Sequence, residues 1–387
     1  MKLALLMGNR YNPWHLQGFK RLRGNPTVTA FRAESQIQDH FKERGDGTEW
    51  MERERIYFDT QAGNAIGRAY FTFAERYLNR TPRVLPFHEQ LKGYDVIHSW
   101  ELFTDWSASA LEARKQYNIP VAITVWDLLP FNMEREPGRR ELKMRVAKDA
   151  DRAVVYTERS RAMLAFEGVA QDRIAYVPPG VDTELFSPGA APREFGLGED
   201  DFVVLFVGWF VPRKGIDFLL FALRKLIDEG GAAAKRIKLL IVGSGAGRER
   251  VEALIARLGL QSHCIIAGAL TYERMPNIFR MCDVFVLPSV ASDEWQEQFG
   301  MSLIEAMATG KPCIATLSGA IDEIAGDAAL LVQPNDFTAI YRALRRVFNH
   351  SDERARLGAE ARARARRTFD LALHANALSD LYDELLK

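Results

Sequence analysis

The chain has 387 residues, 47% of them apolar, and its 51 Lys plus Arg balance 51 Asp plus Glu. That length and apolar content exclude a disordered or fibrous chain and allow two domains, each with its own core. Equal charge leaves no global field to attract nucleic acid, so any anion site must be local. The opening MKLALLMGNR carries an apolar run too short for a signal peptide, with no small-residue cleavage site after it, and reads as a buried strand. The runs YDVIHS, PVAITVW, RAVVY and RIAYVP follow, with helical stretches between them. A second series, DFVVLFVG, IKLLIVG, HCIIAG, DVFVLP, PCIAT and AALLVQP, repeats the pattern. Continuous apolar runs alternating with helices predict parallel strands covered on both faces, hence two α/β halves.

Between the halves, VPPGVDTELFSPGAAPREFGLGEDD at residues 177–201 is rich in Pro, Gly and acid, as a linker would be. Beyond about residue 336 the chain reads as helix, ending in the amphipathic LHANALSDLYDELL. No run approaches the roughly 18 apolar residues that a membrane-spanning helix needs. Cys264, Cys282 and Cys313 are few, odd in number and set in or beside apolar runs. They suit reduced structural thiols in a reducing compartment better than a disulfide framework or zinc site.

Ligands of open parallel sheets bind at the carboxyl ends of the strands, so the residues after each apolar run are the candidates. LFVGWFVPRKG places Gly208, Arg213 and Lys214 there, and LLIVGSGAGRER places Gly243, Ser244, Gly245 and Gly247. The glycine run is either a phosphate cradle or a plain strand-to-helix turn, and Lys214 alone could be a solvated charge. In SDEWQEQFGMSLIEAMATGKP the helix formers Met301 to Thr309 stop at Gly310 and Pro312. Gly300 opens the backbone at the helix start, where unpaired amides and the positive end of the dipole favour an anion. Glu297 then lies in the preceding loop, while Glu305 sits among apolar residues and needs a partner to offset its desolvation.

In the first half, VIHSW offers His98 and ITVWDLLPF offers Trp126 and Asp127. A strand-end histidine is either a packed residue or a catalyst. Asp149 to Asp151 end a helix just before RAVVY, which favours a structural role over metal binding. WHLQGFKRLRG and GRRELKMRVAKDADR interleave apolar and basic residues, as an ordinary amphipathic helix or a lipid-surface segment would. ARARARR at 361–367 reads as an exposed helical face.

Taken in order, these segments resemble the retaining glycosyltransferases of family 4, whose GT-B fold sets two Rossmann-like domains about a cleft. VVYTERSRAMLAFEGVAQDRIAYVPPGVDTELFSP resembles the family's stretch into the linker, VGWFVPRKGIDFLLFAL its glycine-to-lysine loop, and EQFGMSLIEAMATGKPCIAT its E-x7-E signature. The resemblance implies an acceptor domain at 1–180, a linker at 181–200, a nucleotide-sugar donor domain at 201–368, and a helix at 369–387 crossing back to the first domain. It implies that Lys214, with Gly208, Arg213, Gly243 and Gly245, meets the donor diphosphate, and that the amides of Phe299, Gly300, Met301 and Ser302 cap it. Glu305 would take the ribose hydroxyls and Glu297 would face the transferred sugar, with His98 and Asp127 approaching from the first domain.

No metal or other cofactor is expected by that resemblance, since cations and amides serve instead. The expected partners are a nucleotide-sugar donor and a glycan or lipid-linked acceptor in polysaccharide biosynthesis, at a cytoplasmic location with peripheral contact at the inner membrane face. Three positions depart from the family pattern: Trp209 replaces the usual arginine, Trp126 replaces the usual histidine, and only Gly8 and Gly18 stand where a paired-glycine loop is usual. These departures leave open a nucleotide-sugar-binding scaffold without catalysis, or a GT-B phosphorylase or epimerase.

Overall fold

The computed structural model describes residues 1–8, 13–33, 51–56 and 84–387. Residues 9–12, within the stretch where a paired-glycine loop is usual, lie outside the described residues, as does the side chain of Trp14. The chain divides into two compact units, one formed by Met1–Val177 with His374–Lys387 and the other by Pro178–Leu373.

The first unit holds strands β1 (Lys2–Leu6), β2 (Thr27–Ala33), β3 (Glu52–Ile56), β4 (Val96–Trp100), β5 (Val121–Val125), β6 (Arg152–Val155) and β7 (Ile174–Tyr176). They form one sheet in the order β3-β2-β1-β4-β5-β6-β7, every pair parallel. The strands read as continuous apolar runs lie at its centre because burial on both faces demands that composition. Neither β2 nor β3 belongs to the expected set: TVTAFRA mixes polar with apolar residues, and ERERI is almost wholly charged, which suits the sheet edge it occupies. Leu6, Phe31, Ile97, Val121 and Val146 anchor the core. The helix Asp105–Tyr117 starts where Thr104 Oγ1 accepts the Ser107 amide at 3.2 Å and stops at Asn118, whose φ of 55° turns the chain left-handed.

The end of the final helix, Leu371–Leu385, packs into this first unit. His98 Nδ1 and the Tyr382 hydroxyl lie 2.6 Å apart, and Arg23 contacts Asp380 at 2.5 Å and Asp383 at 2.9 Å. Gly18 leaves room for the His374 ring, which a Cβ at that position would overlap. Leu16, Phe19 and Leu22, from the segment read as either an ordinary amphipathic helix or a lipid-surface segment, are buried in the unit. These three side chains serve packing within the unit.

Strands β8 (Phe202–Val207), β9 (Ile237–Val242), β10 (Cys264–Gly268), β11 (Val284–Leu287), β12 (Cys313–Thr316) and β13 (Leu330–Val332) build the second sheet, in the order β10-β9-β8-β11-β12-β13. All pairs are again parallel. In both sheets the strand order reverses beside the first strand of the unit, the arrangement of a Rossmann sheet, with a crevice opening at the switch point. The core gathers Phe206, Leu219, Leu223, Leu239, Ile241 and Leu344.

The stretch 181–200, expected to link the halves, packs within the second unit instead. Phe186 is fully buried against Tyr272 and Phe279, Arg193 donates to the Met281 carbonyl at 2.6 Å, and Arg280 donates to the Ser187 carbonyl at 2.9 Å. Phe186 and Leu197 are buried and the Thr183, Phe186 and Ser187 carbonyls accept from arginines, so the Pro and Gly content marks turns packed on this unit. Among the described residues no helix is long and apolar enough to cross a membrane.

Candidate active site

Three loops at the carboxyl ends of β8, β9 and β11 build the site, which straddles the switch point between β8 and β11. Close backbone approach explains its glycines. At Gly243, with φ 142°, a Cβ would overlap the Gly208 carbonyl, and at Gly247 it would crowd the Phe210 carbonyl. The loops are stitched by Gly208 N to Val242 O at 3.0 Å, Phe210 N to Ser244 O at 2.8 Å and Gly247 N to Phe210 O at 3.0 Å. GSGAG therefore lies against the loop after β8, which explains why larger residues are absent from it.

From that loop a short turn, Pro212–Lys214, leads through Gly215 into the helix Ile216–Glu229. Gly215 has φ 65°, and a Cβ there would overlap the Pro288 carbonyl, so only glycine lets the turn seat against the end of β11. The turn delivers Lys214 to Glu297: Nζ lies 3.0 Å from Oε1 and 2.7 Å from Oε2. Both side chains are largely buried. Ser289, just after β11, donates from Oγ to Glu297 Oε2 at 2.5 Å, and Ser318 Oγ accepts the Glu297 amide at 3.4 Å. The buried carboxylate thus has a cation and a hydroxyl donor to offset its desolvation.

Beside it, Gly300 adopts φ 60° at the start of the helix Met301–Ala308. A Cβ there would meet Ile321 and Leu287. No side chain caps this helix start, so its first amides face outward from a positive dipole end. Glu305 is buried on the same helix, and burial pushes its carboxyl up to about 8. It is a neutral acid at pH 7, able both to donate to and to accept from hydroxyls.

Within the second unit the structure thus gathers Gly208, Arg213, Lys214, Gly243, Gly245, Glu297, Phe299, Gly300, Met301, Ser302 and Glu305 around the ends of β8, β9 and β11. His98 and Asp127 belong to the first unit. His98 is fully buried, with Nε2 2.6 Å from Thr124 Oγ1 and its ring stacked on Trp100 at 4.8 Å. Burial, and secondarily His374, lowers its pKa to about 3. Both ring nitrogens are engaged inside the fold, so the expected approach of His98 to a sugar is corrected: it ties β4 to the final helix. Asp127 Oδ1 accepts from the Leu128 and Leu129 amides and from Asn132 Nδ2, at 2.8, 3.2 and 3.1 Å, forming its own turn. Trp126 packs between the rings of His15 and Tyr156. Asp151 holds Arg114 in a bidentate pair at 2.7 Å and accepts the Val121 amide, the structural role expected of it.

Sequence reasoning missed Ser289, Ser318, Gly319 and Trp295. The two serines follow strands as the recognised residues do, so the same rule of inspecting strand ends would have found them. Gly319, with φ 60°, lets the chain pass the Glu297 carbonyl. Trp295 lies face-on to Arg213, 4.1 Å from the guanidinium carbon, a contact no spacing announces. Among the described residues no three His, Cys, Asp or Glu side chains gather as a metal site would require.

Comparison with known proteins agrees with this architecture. Residues 190–364 match the model of Glycosyl transferases group 1, and residues 42–185 match that of Glycosyltransferase Family 4. A D-inositol 3-phosphate glycosyltransferase of Nocardia farcinica is 31% identical over 335 residues, covering 81% of this chain and 70% of that protein. One from Saccharomonospora viridis is 31% identical over 317 residues, covering 76% and 70%. Among solved structures, sucrose-phosphate synthase from Thermosynechococcus elongatus superposes with a TM-score of 0.76 at 22% identity, over 100% of this chain and 99% of that one. Anabaena HepE in complex with UDP-glucose gives 0.72 at 17% identity, over 98% and 99%. These two likenesses carry the fold alone, whereas the sequence matches carry the family. The chain belongs to glycosyltransferase family 4 and is a glycosyltransferase of the GT-B fold.

Proposed function

We propose that the chain transfers a sugar from a nucleoside-diphosphate sugar to a hydroxyl acceptor with retention of anomeric configuration. The observation that carries this reading is the buried Lys214–Glu297 pair beside an uncapped helix start, with Glu305 one helical turn further on. A diphosphate has two needs that this arrangement meets. Lys214 and Arg213 supply positive charge, and the amides from Phe299 to Ser302 supply donors along the helix dipole. The neutral carboxyl of Glu305 suits a vicinal diol such as a ribose. A nucleotide sugar, UDP-glucose, is also the molecule with which HepE was crystallised.

In the reaction, the bond from the anomeric carbon to the diphosphate oxygen breaks while one to the acceptor oxygen forms on the same face. The acceptor proton passes to the departing phosphate oxygen, so no separate base is needed. Lys214 steadies the charge that grows on the diphosphate, and Glu297, released from Lys214, accepts hydroxyls of the transferred sugar. No metal enters this reading, because lysine, arginine and amides neutralise the leaving group. The acceptor is a hydroxyl of a glycan or lipid-linked glycan, handled on the cytoplasmic side.

The test is calorimetric binding of UDP, GDP and ADP to the wild type and to Lys214→Ala, followed by turnover with the sugars of whichever nucleotide binds. One nucleotide is expected to bind in the micromolar range and to lose that affinity in Lys214→Ala. Glu297→Ala is expected to abolish transfer in a folded protein. Undiminished turnover by Glu297→Ala would remove the assignment.

A further inference from the structure

We propose that Trp295 is the positioning residue of this donor site, holding the Arg213 guanidinium where the diphosphate arrives. The inference rests on the donor-site reading above and adds to it the residue that organises its cations. Arg213 and Lys214 are consecutive in a 3-10 turn, so their side chains leave the backbone about a third of a turn apart. Both cations nevertheless lie over one indole. The guanidinium carbon of Arg213 is 4.1 Å from the Trp295 ring centroid and Lys214 Nζ is 5.3 Å from it.

Two like charges against one ring repel unless each is compensated. Glu297 compensates Lys214, and the indole face attracts both, the closer guanidinium more strongly. The platform is itself anchored. Ser292 N donates to Trp295 O at 2.8 Å, and Trp295 N donates back to Ser292 Oγ at 3.1 Å. Val290 N donates to Arg213 O at 2.8 Å, which ties the loop after β11 to the turn that bears the arginine. Trp295 also stands two residues before Glu297, so one short loop sets the ring, the carboxylate and, through the ring, the arginine. An arginine on an unbraced loop surrenders side-chain freedom when it captures an anion. Stacking in advance removes much of that loss.

The experiment measures binding of UDP, GDP and ADP, and of the matching monophosphates, to the wild type, Trp295→Phe, Trp295→Leu, Arg213→Ala and the Trp295→Leu/Arg213→Ala double variant. Thermal midpoints are followed in parallel. For the diphosphate that binds, Trp295→Leu is expected to weaken affinity roughly tenfold, while Trp295→Phe keeps most of it. The monophosphate is expected to change less, so the preference for diphosphate narrows. Because Trp295 acts through Arg213, the double variant is expected to bind no worse than Arg213→Ala alone. The donor KM should rise while kcat changes little.

Trp295→Leu with wild-type affinity would overturn the inference, and so would losses that multiply in the double variant. A lowered thermal midpoint with unchanged diphosphate preference would likewise assign Trp295 to packing alone. A wild type that binds none of the nucleotides would overturn the donor-site reading and this inference with it, whereas binding that is lost in Lys214→Ala but untouched in Trp295→Leu would sink the Trp295 role alone.

Discussion

The two sheets share a strand order and a switch point, yet they spend their strand ends differently. In the second unit, left-handed glycines let the loops after β8, β9 and β11 crowd together, and the polar groups converge on Lys214 and Glu297. In the first, the equivalent groups turn inward or close on themselves. His98 bonds to Thr124 and the final helix, Asp127 caps its own turn, and Glu101 Oε1 accepts the Trp126 amide at 3.0 Å. Topology fixes where a ligand could bind, and loop chemistry decides whether a convergent polar site forms there.

The sharpest way to break the contrast is to remove one member of the second unit's buried pair. Lys214→Ala leaves the Glu297 carboxyl buried with Ser289 as its remaining side-chain partner, and removing one member of a buried ion pair costs about 3–5 kcal/mol. Denaturant unfolding should show that loss. Adding Glu297→Gln should restore much of the stability without restoring donor binding. An equal loss in single and double variants would mean that the loss does not come from the unpaired carboxylate.

In the first unit the largest effect expected is one of packing. His98→Ala opens a cavity and leaves the Tyr382 and Thr124 hydroxyls without their buried partner, for a loss of about 2–4 kcal/mol. Turnover per folded molecule should stay near the wild-type value. A turnover collapse in a variant that remains folded would return His98 to the chemistry. Gly18→Ala probes the same seam more gently. Its methyl group would press on the buried His374 ring, and overpacking of this kind costs about 1–3 kcal/mol, measurable as a lower unfolding midpoint.

These contrasts follow from what each stretch of sequence could announce. The second unit was almost wholly legible. Its six apolar runs are its six strands, and the helix Met301–Ala308 begins after Gly300 and stops just short of Gly310, because backbone rules act locally. Glu297 and Lys214 were legible as candidates, and the contact between them was not, since 83 residues separate them. The first unit hid more. TVTAFRA and ERERI lack the apolar continuity of a central strand, and β3 tolerates charge because it sits at an edge. Whether a strand-end histidine faces a ligand or the core depends on what packs over it. Here the cover is Tyr382, 284 residues away. The stretch 181–200 looked like a linker because Pro and Gly mark turns whether or not the turns are packed against a core.

The contrast that is smallest per step, read one pH unit at a time, separates the units by pH. In the first, His15 and His98 are held near 3 by burial and by His374, against an ordinary value of 6.5. Their folded values are depressed, so the unfolded chain binds more protons as pH falls below about 6.5, and stability present above that pH is lost on the way down. In the second, burial raises Glu305 to about 8 from an ordinary value of 4.5. Its sign is opposite: the folded chain retains a proton that the unfolded chain gives up, so the contribution is full at low pH and fades as pH rises towards 8. Each such proton corresponds to about 1 kcal/mol per pH unit within its window. Glu305→Gln should therefore flatten the fall in stability between pH 5 and 8, while His98→Asn should flatten the fall below pH 6. Unchanged slopes in both variants would place these side chains in water, and the buried contrast between the two units would go with them.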